Sequence, residues 1–169
     1  LDHPVALRSA LEKGSCFSVE LPRAAAVPDT LPAKQAPAAI GNLDGLCVVA
    51  IDIEPDILSG MHHLLSSWDC LVVTAGNEHE AAAQLNKAGL TPDVILADYH
   101  LDNGTGIEAI VKLRWKFGRH IPAILITADR SRPVRSEAGE KDIAFFNKPV
   151  KPAALRAQLA RCHAGQAAE

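Results

Sequence analysis

Val94-Ile95-Leu96-Ala97-Asp98, running into Tyr99-His100-Leu101-Asp102-Asn103-Gly104-Thr105-Gly106, is the stretch that decides the fold. A short unbroken apolar run bounded by a turn-rich segment reads as a strand buried on both faces. The acid at its carboxyl end opens onto a loop, the place where open α/β sheets carry their chemistry. Three other runs end in the same way. Leu46–Ile51 leads to Asp52 and Glu54, Ala123–Ile126 leads to Thr127, and Ile143–Phe146 leads to Lys148-Pro149. A fifth run, Leu71–Ala75, has no such ending.

Between these runs lie segments of helical period. Pro55–Trp68 places Ile57, Met61, Leu64 and Leu65 on one face, with Pro55 at a first-turn position where its missing N–H costs nothing. Glu78–Lys87 is alanine-rich and stops at Gly89. Ile107–Phe117 turns Ile107, Ile110, Val111 and Leu113 inward; Val134–Glu140 and Pro152–Cys162 complete the set. Strands alternating with helices give a parallel sheet covered on both faces. Right-handed crossovers then make a doubly wound three-layer sandwich. The strand carrying Asp52 is expected at its centre, beside the one carrying Asp98.

Outward from that unit the composition changes. Residues 23–45 are rich in alanine and proline, including Pro28, Pro32 and Pro37, and read as a semi-extended linker. Residues 1–22 contain the alternating strand Ser15–Leu21, a single strand with no partner of its own. It reads as the end of a larger domain. Of 169 residues 48% are hydrophobic and the formal charge is -3, so a sizeable core forms and no basic footprint for nucleic acid is present. No apolar run is long enough to cross a bilayer. Cys16, Cys47, Cys70 and Cys162 make no metal-ligand spacing and read as reduced thiols, with Cys47 and Cys70 in the core. Trp68 and Trp115 are expected at the core edge, and the Lys/Arg scatter from Lys112 to Arg119 on a solvated helix face.

Four strand ends thus deliver acid, acid, hydroxyl and ammonium. Converging carboxylates repel unless a cation intervenes, and a hard divalent ion such as Mg²⁺ prefers such oxygen ligands. An aspartate can attack phosphorus to give an acyl phosphate. A metal and Lys148 would then offset the charge of the transferred group, with Thr127 donating to a phosphate oxygen.

Asp52-x-Glu54-Pro55, Ala97-Asp98-Tyr99-His100-Leu101-Asp102, Ile126-Thr127-Ala128 and Asn147-Lys148-Pro149 together resemble a two-component receiver domain across residues 46–162. The resemblance implies a flavodoxin-like three-layer sandwich with five parallel strands in the order 2-1-3-4-5 and five helices. It makes Asp98 the phosphoacceptor, Thr127 a contact to the phosphoryl group, and Lys148 its ion-pair partner through a cis Lys148-Pro149 bond. It implies Mg²⁺ held by Asp52, Asp98 and the His100 backbone carbonyl, with Glu54 as a further candidate ligand. Thr127 and Phe145 fall at the switch positions. Ile53 stands where the family has a second acid and has no oxygen to offer, which implies weakened Mg²⁺ binding.

Gly14–Pro22, with Leu7-Arg8-Ser9 as the preceding strand, resembles the closing strands of a histidine-kinase ATP-binding domain. The organisation expected is a kinase-domain tail over 1–22, a linker over 23–45, a receiver over 46–163 and a tail over 164–169. The chain then reads as the cytoplasmic receiver of a hybrid sensor histidine kinase. It takes a phosphoryl group from a histidine of a kinase domain or phosphotransfer protein, touches neither nucleic acid nor membrane, and leaves a homodimer open. The fragment lacks the kinase core and only receives, and hydrolyses, the phosphoryl group. The alternative is a degenerate receiver that binds proteins without phosphorylation. A flavodoxin-like cofactor binder ranks below both, because Asp52-Ile53-Glu54-Pro55 is acidic and lacks the glycine of a phosphate-cradling loop.

Overall fold

The computed structural model of the chain describes residues 3–10, 14–20, 42–129 and 131–166. Two compact units are present, Leu1–Ala38 and Ala39–Glu169. In the first, β1 (Val5–Ala10) pairs antiparallel with β2 (Gly14–Val19), Val5 opposite Val19 and Leu7 opposite Phe17. The strand that the residue pattern leaves single has the partner that the resemblance implied, around Leu7-Arg8-Ser9. The apolar side chains of Val5, Leu7, Phe17 and Val19 are all exposed. Linker residues 23–41, Arg130 and tail residues 167–169 lie outside the described residues.

The second unit holds β3 (Cys47–Ile51), α1 (Pro55–Ser66), β4 (Leu71–Ala75), α2 (Glu78–Ala88) and β5 (Val94–Asp98). The two-residue strands β6 (His100–Leu101) and β7 (Gly104–Thr105) follow, then α3 (Gly106–Phe117) and β8 (Ala123–Thr127). The unit ends with α4 (Arg132–Glu140), β9 (Ile143–Asn147) and α5 (Pro152–Gln166). Its five-stranded sheet is ordered β4-β3-β5-β8-β9 with every pair parallel, a flavodoxin-like sandwich. The middle strand is β5, carrying Asp98, rather than β3. The chain crosses from β3 outward to β4, then back past β3 to β5, β8 and β9.

Strand alternation sorts the core into two layers. Val49, Ile51, Ile95 and Leu125 face α2 and α3, packing with Leu85, Ile110 and Leu113. Val48, Leu96, Ile124 and Ile126 face the other way, packing with Leu65, Leu155 and Leu159. The second layer also takes Leu43, so this core begins three residues before Leu46. Helix ends follow local chemistry. The Asn77 side chain accepts from the Glu80 N–H, Thr105 and Glu108 form a capping box, and Gly89 and Gly118 close α2 and α3 in the left-handed conformation. Cys47 and Cys70 are free and buried; burial pushes both thiols up to about 11, so they behave as core hydrophobes.

Two expectations for α3 are corrected. Val111 and Trp115 lie one turn apart on its outer stripe, and Trp115 is 86% exposed. The helix turns about 100° per residue, so a residue two positions after buried Leu113 faces solvent. The basic scatter is solvated as expected except at Arg114, and three of its members are also paired. Lys112 meets the buried Glu78 carboxylate at 2.7 Å, and Arg119 lies 3.7 Å from Asp93. Arg114 donates to the backbone carbonyls of Ile121, Lys141 and Asp142 at 2.8, 2.6 and 3.0 Å. Trp68 is half-buried as expected, with the Arg156 guanidinium 5.7 Å from its ring centroid.

Candidate functional site

Parallel register brings the carboxyl ends of β3, β5, β8 and β9 to one rim of the sheet. Asp52 follows β3 and is buried, its Oδ1 accepting the Glu54 N–H at 3.0 Å. Asp98 closes β5. Lys148 follows β9 and reaches across β8. Its Nζ lies 3.1 Å from Asp98 Oδ1 and 3.3 Å from Asp52 Oδ2. The Lys148 N–H donates to the Thr127 carbonyl at 2.8 Å, and the Lys148–Pro149 peptide is cis, as expected. Burial alone would push the Lys148 ammonium down. The hydrogen bond to Asp98 and the charges of Asp52 and Asp98 outweigh it and hold the group above the ordinary lysine value.

Thr127 ends β8, one residue beyond the position opposite Asp98, and is fully buried. Its hydroxyl accepts the Asp129 N–H at 3.0 Å. Asp129 in turn accepts the Ser131 N–H at 2.7 Å, and the hydrogen bonds from Ser131 hold its carboxyl below the usual range. Phe145 lies half-buried on the edge strand β9, with the Arg135 guanidinium 5.1 Å from its ring centroid. Arg135, on α4, thus covers the proposed switch aromatic.

The acids do not all gather. Glu54 is exposed and caps the start of α1 through its backbone. Among the described residues no three His, Cys, Asp or Glu side chains gather as a metal site. Ile53 is 41% exposed at the mouth of the site. What remains is two carboxylates and one ammonium, a surplus of one negative charge. Both carboxylates offer oxygen donors, which suits Mg²⁺ retaining several waters, and His100 lies on β6 two residues beyond Asp98.

Sequence reasoning missed the β6–β7 hairpin, whose two-residue turn is Asp102-Asn103. It also missed Gly106. The Gly106 N–H donates to the Tyr99 carbonyl at 2.9 Å, and a Cβ there would overlap the Asp98 carbonyl oxygen. Only glycine lets α3 begin this close to the strand bearing the acid.

The receiver domain family of response regulators matches residues 48–160. No curated protein matches the chain significantly. Among solved structures, the Vibrio cholerae chemotaxis protein CheY4 is 26% identical with a TM-score of 0.61, over 70% of this chain and 98% of that one. The anti-anti-sigma factor PhyR of Bartonella quintana is 28% identical with a TM-score of 0.64, over 81% of this chain and 56% of that one. A response regulator receiver domain protein of Clostridium thermocellum shares the fold at 19% identity, TM-score 0.64, over 71% and 95% of the two chains. The strand order, the acid-and-lysine rim and the matched span all agree: this chain belongs to the response regulator receiver domain family of two-component signalling.

Proposed function

We propose that Asp98 accepts a phosphoryl group from a phosphohistidine, and that the parent protein is a hybrid sensor histidine kinase working in a phosphorelay. The observation that supports this most is Lys148 held 3.1 Å from Asp98, an ammonium placed for the charge of a group attached there. In the reaction a bond forms between an Asp98 carboxylate oxygen and phosphorus while the donor's P–N bond breaks, the imidazole keeping that electron pair. Lys148 holds the equatorial oxygens, and Thr127 turns its hydroxyl from Asp129 to the phosphoryl group. Movement of Phe145 under Arg135 then reports the modified state. Asp52, Asp98 and the His100 carbonyl would hold Mg²⁺, which supplies charge neutralisation when bound. Glu54, exposed at the start of α1, has no part in that set.

The N-terminal hairpin supports a kinase-domain tail over residues 1–22, because a two-stranded hairpin with four exposed apolar side chains is marginal alone. The donor is a kinase domain or phosphotransfer protein, and the working location is cytoplasmic. No helix among the described residues is long and apolar enough to cross a membrane.

Ile53 favours a second reading, an interaction module that is not phosphorylated. An exposed isoleucine at the site mouth offers an apolar contact and no metal ligand. Incubation with acetyl phosphate and Mg²⁺ separates the two by intact mass. The first reading expects a gain of one phosphoryl group that is lost in Asp98→Ala. No gain at saturating Mg²⁺ selects the second.

A further inference from the structure

The outer stripe of α3 carries the most exposed large apolar side chain of the described residues, Trp115. Val111, one turn earlier, lies on the same stripe and is also exposed. Trp68 is half-buried against Arg156, whereas the Trp115 indole has no ring or cation partner among the described residues. An open cleft of about 300 Å³ runs from Trp115 to the start of α2. His79, Lys112 and Lys116 border it, all exposed, with Leu113 and the Glu78 carboxylate at its base.

The charges around the indole are sorted by depth. The Lys112 side chain is 53% exposed, its partner Glu78 only 8%. Arg119, just past the helix, is likewise more exposed than Asp93. Lys116 is exposed and has no ion pair among the described residues. The one acid of α3, Glu108, is turned back to the Thr105 N–H in the capping box. Whatever approaches Trp115 therefore meets cations first, although the chain as a whole carries -3.

The same features decide between occupants. An anionic bilayer is held by clusters of about four to eight Lys/Arg. With Lys112 and Arg119 already paired, this face has too little free positive charge for that. A second copy in a two-fold contact centred on Trp115 would set the lysines of one chain against those of the other. A protein segment with carboxylates beside an apolar residue meets neither objection. Tryptophan is also among the residue types that most often carry interface energy.

We propose that this α2–α3 face docks an acidic protein segment, an apolar side chain of the partner packing on Trp115 and its carboxylates meeting Lys112 and Lys116. The inference uses no residue of the phosphoryl site, so a failure of phosphoryl labelling leaves it intact.

Selection from a random peptide library displayed on phage, with the whole chain as bait, tests it. The expected outcome is enrichment of sequences that set Asp or Glu beside Leu, Phe or Trp. A synthetic peptide of the selected sequence should bind Trp115→Ser about thirtyfold more weakly, the loss typical of a central aromatic. It should bind Lys116→Glu about tenfold more weakly, through like-charge repulsion. Both variants should keep the parent melting temperature, because neither side chain is buried. Enrichment of neutral or basic sequences, no enrichment, or equal binding to Trp115→Ser would overturn the proposal. So would sedimentation with phosphatidylserine vesicles, or self-association, that is lost in Trp115→Ser, since either gives the face to another occupant.

Discussion

Gly106→Ala is expected to lose about 3 kcal/mol of stability, the upper end of the overpacking range, and to lose phosphoryl acceptance with it. The added Cβ would overlap the Asp98 carbonyl oxygen, crowd the carbonyl carbon at 2.9 Å and touch Leu125 Cδ1 at 3.1 Å. The leucine end can move by a rotamer change, but the two Asp98 atoms belong to the backbone of the middle strand. Relief therefore requires α3 to draw back or the end of β5 to shift, and the second displaces the acid from Lys148. Chemical denaturation with acetyl phosphate labelling at permissive temperature separates the two effects. Parent-like stability would show that α3 has room to move. Parent-like labelling in a destabilised variant would show that Asp98 keeps its place regardless. Gly60→Ala makes the natural control, since its Cβ meets nothing within 4 Å.

Lys148→Met is expected to cost about 1 to 2 kcal/mol at neutral pH, a figure kept low because the lysine side chain is 28% exposed. The methionine keeps the apolar stem but leaves Asp52 and Asp98 facing each other without their ammonium. The two carboxylates then repel. Added Mg²⁺ should therefore raise the variant's melting temperature more than the parent's, because the metal takes over the missing charge. Phosphoryl acceptance should fall by about a hundredfold or more, the usual consequence of removing one preorganised partner for developing charge. An equal response of parent and variant to Mg²⁺ would place the metal elsewhere.

How much of this was legible in the sequence follows from how local each determinant is. The strands were readable because each is a short apolar run closed by a polar residue, as in Val94-Ile95-Leu96-Ala97-Asp98. The rim followed, because parallel strands joined by right-handed crossovers carry their carboxyl ends to the same side. The convergence of Lys148 on Asp52 and Asp98 was foreseen and is met at 3.3 and 3.1 Å. What escaped depends on contacts between distant segments. Arg114 reads as one more surface charge until the α3–β8 and α4–β9 connections bring three backbone carbonyls to it. Glu78 and Lys112 are 34 residues apart and meet only because α2 and α3 pack side by side.

The part played by Glu54 was open in the sequence for a related reason. Its spacing from Asp52 suits a shared metal, but Pro55 starts α1 at once and commits the Glu54 backbone to the helix entry, with its side chain outward. Trp115 was placed at the core edge on hydrophobicity alone, when its phase on α3 relative to Leu113 already directed it to solvent.

The central claim is that one carboxylate, an ammonium, a hydroxyl and a cation position meet at the sheet rim to hold a phosphoryl group. A crystal structure with Mg²⁺ and beryllofluoride bound tests it most directly. The expected result is the fluoride adduct on Asp98, with Lys148 Nζ and Thr127 Oγ1 on its fluorines. Mg²⁺ should be held by Asp52, Asp98 and the His100 carbonyl, with water in the place that Ile53 leaves vacant. An adduct-free Asp98 at saturating Mg²⁺, with Lys148 still clasping both carboxylates, would contradict it.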